Sequence, residues 1–409
     1  MSLRGRFWLL TSLRWLPTGL IVPVIALLPL HRGMSVAQLG AALAVQGIVV
    51  LCLELPTGGL TDTLGRRPVF VTSAVFALVA YLAFSMATTP VLLGLAAALA
   101  GVFRALDSGP LNAWYVDRVH ATTDPADRQQ AVATGLSGGS SVLGGSIAVG
   151  ALMSAGLVAW APFGRTSALV TPYVLAAVLA ALQIAATLVL MRDVRTAPSG
   201  PLTSSLATVP RAIADGARLL GRSRVLRALV AVELFWGFGM VAFETLMPIR
   251  LSELLDDRDA AATAMGPIAA LAWGLSAVGV AFLPRLLRRW NLVHLSVALR
   301  LLQGATVIAM GLTWGPVGLI VAYLATYAIH IASGVAYETL MHEQVGNERR
   351  ATVLSLASMA AQPAGSLGSV ILGAIATGAS TPTAMIVGGI VLAVAAPLFL
   401  VREQPAPVH

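Results

Sequence analysis

The sequence predicts an all-α membrane protein of twelve transmembrane helices in two pseudo-symmetric six-helix bundles. Three observations carry that prediction. Only 11% of the 409 residues are charged and 57% are apolar, against roughly 25% charged in an ordinary soluble protein. Twelve apolar runs each approach the ~20 residues that cross a bilayer as a helix. The longest polar interruption, Arg192 to Arg227, falls between the sixth and seventh runs and divides the chain six plus six.

The first run, residues 7–30, follows the basic start MSLRGRFWLL. It is too long for a signal-peptide core and many more runs follow, so it reads as span one. Spans two to six cover 36–57, 69–87, 91–115, 131–153 and 168–191. Spans seven to twelve cover 227–249, 263–284, 292–312, 317–340, 353–376 and 383–401. The expected organisation is an N-terminal bundle (1–191), a cytoplasmic linker (192–226) and a C-terminal bundle (227–409). The linker opens RTAPSGPLTSS, a loop composition. Its VPRAIADGARLL then reads as a short amphipathic helix on the membrane surface.

An even number of spans places both termini on one side. If that side is cytoplasmic, 19 of the 26 arginines lie in cytoplasmic segments and four (Arg32, Arg165, Arg250, Arg258) lie outside. The other three (Arg14, Arg104, Arg300) fall within spans. This asymmetry is the positive-inside rule, and it suits a multi-pass protein of a bacterial inner membrane, expected as a monomer among membrane lipids. The net charge of +8 is divided among short loops, which argues against nucleic acid as a partner. The chain has no lysine, hence no P-loop. Its one cysteine, Cys52, cannot form an internal disulfide.

The halves echo each other. DRQQAV at Asp127 precedes span five and ERRATV at Glu348 precedes span eleven; 17 residues after each acid comes a glycine, Gly144 or Gly365. Duplicated halves around a midplane site are a transporter signature.

Between spans two and three the chain reads ELPTGGLTDTLGRRPVF. Glycines suit a tight turn at a membrane surface, and Arg66 and Arg67 would hold it inside, against anionic headgroups. The pattern G-x-L-x-D-x-x-G-R-R, on Gly58 or Gly59, Leu60, Asp62, Gly65, Arg66 and Arg67, resembles the loop 2–3 signature of the major facilitator superfamily. That resemblance implies a secondary transporter working by alternating access. It makes Asp62 a conformational latch, with the positive N-terminal end of span eleven, near Thr352, as its partner. A bare topology anchor is the alternative reading. PRLLRRW, the matching loop of the second half, lacks the acid and glycine, so the latch is expected on one side only.

Charges inside a membrane usually face a cavity or a partner. Arg104 and Asp107 share one face of span four. They read either as a self-neutralising structural pair or as a proton-sensitive one, and Arg104 resembles the span-four arginine that the family links to proton coupling. Glu233 and Glu244 lie three turns apart on span seven, with Gly237 and Met240 between them, and are expected to line one cavity. Tyr323, Tyr327, His330, Gly334 and Tyr337 form one stripe of span ten, a packing seam or a cavity wall, with Glu338 beside it. His330 is expected to titrate near neutral pH. Arg14 and Glu54 pair with each other or with groups elsewhere. Arg300, on a span that the resemblance makes peripheral, reads as structural.

Span five, TGLSGGSSVLGGSIAVG, has glycines for close helix approach. The chain resembles the twelve-span drug:proton antiporter branch here in Gly144 and Gly145, with Ser140 and Ser141 where that branch has glycine and proline. The expected function is proton-coupled export of a small amphipathic, drug-like molecule, with no cofactor beyond the proton gradient. Alternatives are a symporter or facilitator of a sugar-like solute, and a lipid or lysolipid flippase. A remote rival reads GLSGG as a serine-nucleophile pattern, Ser137 with His294 or His330. No metal-site spacing is present.

Overall fold

A computed structural model describes residues 1–191, 218, 220, 221, 223–344 and 350–402, and it is helical throughout with short connections. The surface-helix segment expected at 209–220 lies almost wholly outside the described residues. The helices are α1 (Leu3–Ile21), α2 (Leu27–His31), α3 (Val36–Leu64), α4 (Arg66–Met86), α5 (Pro90–Asp107), α6 (Pro110–Thr122), α7 (Arg128–Trp160) and α8 (Thr171–Leu190). After the central segment come α9 (Arg224–Glu244), α10 (Leu246–Leu255), α11 (Arg258–Leu287), α12 (Leu292–Leu312), α13 (Pro316–Glu343), α14 (Arg350–Gly378) and α15 (Thr381–Val394).

These helices make up the twelve spans. Eleven are long and apolar enough to cross a membrane among the described residues. The first span is carried by α1, which holds Arg4, Arg6 and Arg14, and by the short α2. Along α4 and α8 the exposed Val75, Val79 and Leu82, and Val174, Val178 and Leu182, recur at helical spacing. That is the apolar stripe a lipid-facing helix presents.

The chain folds as two compact units. Inside the first, α1 packs on α7 and α8, and α4 packs on α5 and α8. Inside the second, α9 packs on α14 and α15, and α12 packs on α13 and α15. These are the same pairings shifted by six spans, so the internal repeat is structural. Each unit has an aromatic and aliphatic core. Phe7, Leu10, Phe70, Trp114 and Tyr115 anchor the first, and Leu226, Val232, Leu340, Met341 and Phe399 the second.

Unit boundaries cross the sequence halves twice. Residues 35–47 belong to the second unit and 256–270 to the first. Small residues make both exchanges possible. A Cβ on Gly40 would sit 2.0 Å from the Ser369 carbonyl oxygen, so α3 and α14 touch backbone to backbone, and the Ala37 N–H donates to Thr377 Oγ1 at 2.9 Å. In the first third of α11, a Cβ on Gly266 would sit 2.6 Å from the Ala151 carbonyl oxygen of α7.

Two expectations are corrected. Span four is broken: Gly109 takes φ +106° and Pro110 opens α6 at its first turn, where the missing N–H costs nothing. The 2–3 connection is mostly helix, because α3 runs on to Leu64 and the turn falls to Gly65 alone, at φ +93°.

Candidate functional site

Each unit holds its own polar cavity. In the first, a space of ≈ 420 Å³ is lined by Arg14, Arg104, Asp107, Asn112, Ser140 and Trp15, among others. Arg14 and Asp107 form an ion pair through the Arg14 Nε–H, and Arg14 Nη1 also donates to Thr18 Oγ1 at 3.1 Å. Both charged side chains are nearly buried, at 7% and 11% exposure. The Arg14 guanidinium lies 4.5 Å from the Trp15 ring centroid and 4.3 Å from that of Phe103.

Asp107 therefore pairs with Arg14 of α1, not with Arg104 three residues back. A cation shelved between two aromatic rings has lost its water and needs the carboxylate more than an accessible one does. Arg104 is exposed to the same cavity, without an ion pair among the described residues. Glu54 lies within electrostatic reach of Arg104, and the buried Tyr81 faces the Arg14–Asp107 pair.

At the 2–3 connection, Arg66 Nε donates to Asp117 Oδ2 of α6 at 3.4 Å, and Arg67 donates to the Leu188 carbonyl of α8. Both arginines thus bind protein groups, where the sequence suggested lipid headgroups. The side chain of Asp62, and those of residues 350–356 around its expected partner, lie outside the described ones.

The second unit's cavity, ≈ 550 Å³, is lined by Glu233, Trp236, Arg300, His330, Tyr337 and Glu338, with Gly334, Ala357 and Ser358 among the remainder. Among the described lining residues there are two carboxylates and one guanidinium. Arg300 is 1% exposed and Tyr337 4% exposed. Neither Arg300 Nε nor the Tyr337 hydroxyl has a hydrogen-bond partner among the described residues. Arg300 Nη1 donates to Gln303 Oε1 at 2.9 Å, and Gln303 Nε2 meets His330 Nδ1 at 3.1 Å. Trp236 lies parallel to the His330 ring, 7° between planes and 5.9 Å between centroids.

Glu244 is elsewhere. It accepts the Tyr327 hydroxyl's hydrogen bond, inside a cluster of Tyr323, Phe243 and Trp273. Glu233 and Glu244 thus occupy different surroundings. Gly237, between them, is closed off because its Cα lies against the Ala361 backbone of α14. The span-ten stripe divides likewise: Tyr323 and Tyr327 are packed, while His330, Gly334 and Tyr337 line the cavity.

Arg300 is the main departure from the sequence reading, since α12 carries it into the cavity wall. Gln303, Trp236, Asn112 and Asp117 were also missed. A legible signal existed for one of them: Gln303 lies one turn from Arg300 in a mostly apolar span. In span five, Gly144 and Gly145 face open space, and helix contact falls instead to Gly139 and Gly150.

A family model described as Major Facilitator Superfamily matches residues 7–369. The chain belongs to the Major Facilitator Superfamily. Among solved structures, this major facilitator protein is similar to the nucleoside transporter NupG, at 15% identity and TM-score 0.77 over 98% of this chain and 99% of that one. It is also similar to a bacterial homolog of the human lysosomal transporter Spinster, in an inward-facing and occupied conformation (14%, TM-score 0.75, 97% and 95%). A third is a POT family transporter in complex with a thioalcohol-conjugated peptide (14%, TM-score 0.73, 97% and 95%). At these identities the likeness is one of fold. No curated protein matches. Family membership makes the chain a multi-pass membrane transporter and removes the protease reading; the Ser137 hydroxyl simply donates to Thr134 O of its own helix at 3.3 Å.

Proposed function

We propose that this transporter exports a small amphipathic cation in exchange for protons. One observation carries the reading. The ≈ 550 Å³ cavity sets Glu233 and Glu338 beside Trp236, with Arg300 as the one cation among its described lining residues. Carboxylates next to an indole face attract an organic cation through charge and cation–π contact. Glu233, Glu338 and the Arg14–Asp107 pair are the candidate proton acceptors. Arg104 and Glu54 set the field around that pair, and Glu244 with Tyr327 is a packed element beside the substrate. Asp62, Gly65, Arg66 and Arg67 form the cytoplasmic latch. The protein works as a monomer, both termini cytoplasmic, in a bacterial inner membrane.

Protein-dependent uptake of rhodamine 6G into acid-loaded proteoliposomes tests this. Acid inside is expected to drive uptake, and Glu233→Gln to abolish the drive while the protein still inserts. Uptake indifferent to the pH gradient, or full coupling in both Glu233→Gln and Asp107→Asn, overturns it.

A second reading, symport of a polar solute, is favoured by the hydroxyl and amide groups of Thr11, Ser108, Asn112 and Ser140 in the first cavity. The nucleoside that NupG transports is of that kind. Uridine uptake driven by outside acid separates it from export.

A further inference from the structure

We infer that Arg300 and Gln303 hold His330 as the neutral tautomer with its proton on Nε2, making the ring a fixed hydrogen-bond donor to an acceptor on the transported molecule and not a proton carrier. The ligand half of this rests on the proposed function; the tautomer does not.

The argument is a chain of donors and acceptors. A guanidinium only donates. Arg300 Nη1 sits 2.9 Å from one end of the Gln303 amide, so that end is the carbonyl oxygen. The other end is therefore the NH2 group, and it meets His330 Nδ1 at 3.1 Å. An NH2 donor requires Nδ1 to accept, which leaves the ring proton on Nε2. His330 lines the cavity, and Nε2 makes no hydrogen bond to protein among the described residues.

Adding a second proton at Nδ1 sets two donors against each other. Flipping the amide only moves that conflict to Arg300. Arg300 is 1% exposed, so it has almost no bulk water to take up the donors it would lose. The rings packed on it among the described residues are aromatic side chains. Trp236 lies parallel to it, and Phe243 and Tyr327 pack at 5.3 and 5.7 Å between centroids. Of the charged groups about this helix, Glu233 and Glu338 line the cavity, Arg300 is the relay itself, and Glu244 receives the Tyr327 hydroxyl. From α14, among the described residues, the cavity receives Ala357 and Ser358, neither charged. The cavity thus presents carboxylates for a cationic centre and, at His330 Nε2, an N–H held in place for an acceptor. The implied ligand is an aromatic cation bearing a carbonyl, ether or ring nitrogen.

The test uses the full chain in nanodiscs with its six histidines ¹⁵N-labelled in the ring, and His330→Gln to assign the signal. The expected spectrum shows a protonated Nε2 and an unprotonated Nδ1, unchanged from about pH 5.5 to about pH 8, the interval in which an ordinary histidine titrates. A protonated Nδ1, or a titration inside that interval, overturns the inference. Gln303→Glu supplies an acceptor and is expected to make the ring doubly protonated within the same interval. If that variant does not fold, the wild-type spectrum decides alone.

Binding of rhodamine 6G, a cation with an ester carbonyl, is then compared with that of tetraphenylphosphonium, a cation without an acceptor. His330→Phe is expected to weaken the first by roughly fivefold to tenfold, the loss of one hydrogen bond, and to spare the second. Equal loss for both overturns the donor role. If neither cation binds the wild type, cation export and the ligand assignment fall together, while the tautomer stands or falls on its own spectrum.

Discussion

At the scale of single residues, burial decides what each charge does. Arg14 and Asp107 are 93 positions apart in sequence and both nearly dry. Breaking one side of a buried ion pair costs about 3–5 kcal/mol, because the survivor is left desolvated and unpaired. Asp107→Asn is accordingly expected to lose stability of that order, read as thermal unfolding in detergent. Adding Arg14→Gln should recover most of the loss, and adding Arg104→Gln part of it, since Arg104 then no longer repels an uncompensated Arg14. A single Asp107→Asn protein as stable as the native one would show that the pair carries no such weight. The sequence flagged both residues from their types alone, because charge inside an apolar run is conspicuous. It assigned the wrong arginine, since helical spacing ranks neighbours within one helix and is silent on the helix packed across from it.

At the scale of elements, helix contacts are set by residues that have almost no side chain. Gly237 brings α9 against the Ala361 backbone of α14, and an added Cβ would sit 2.4 Å from that carbonyl oxygen. Glu233 is one turn away, so this contact also sets the depth of the cavity. Gly237→Val is expected to force the helices apart at a cost of about 1–3 kcal/mol. Transport should fall further than in a surface Gly→Val control such as Gly94→Val, whose added Cβ meets nothing within 4 Å. Equal behaviour of the two variants would mean that the contact is incidental. Spans were legible as elements because hydropathy is a local sum. The break at Gly109 was less so, although its Gly-Pro dipeptide is a recognised punctuation mark. The apolar run continues through it, and the run outweighed the mark.

At the scale of the whole molecule, the repeat and the exchanged segments belong together. Each unit completes itself with the first part of one helix from the other half: residues 35–47 on α14 and residues 256–270 on α7. In the alternating-access cycle that the proposed proton exchange implies, such contacts break in one half of the cycle. In a Cys52→Ser background, an oxidised Ala37→Cys/Thr377→Cys cross-link is expected to stop transport, and reduction to restore it. Undiminished transport with the cross-link complete would rule out that separation. By itself the sequence determined the class, the number of crossings, the six-plus-six division and the family. Those depend on composition and local pattern, which the bilayer reads one segment at a time. Only the tertiary structure decided that Asp107 belongs to Arg14, that Arg300 and Gln303 reach His330, and that Glu244 is packed away from Glu233. Those outcomes depend on which helix faces are pressed together, and a buried charge takes whatever partner lies within a few ångströms, however distant it is along the chain.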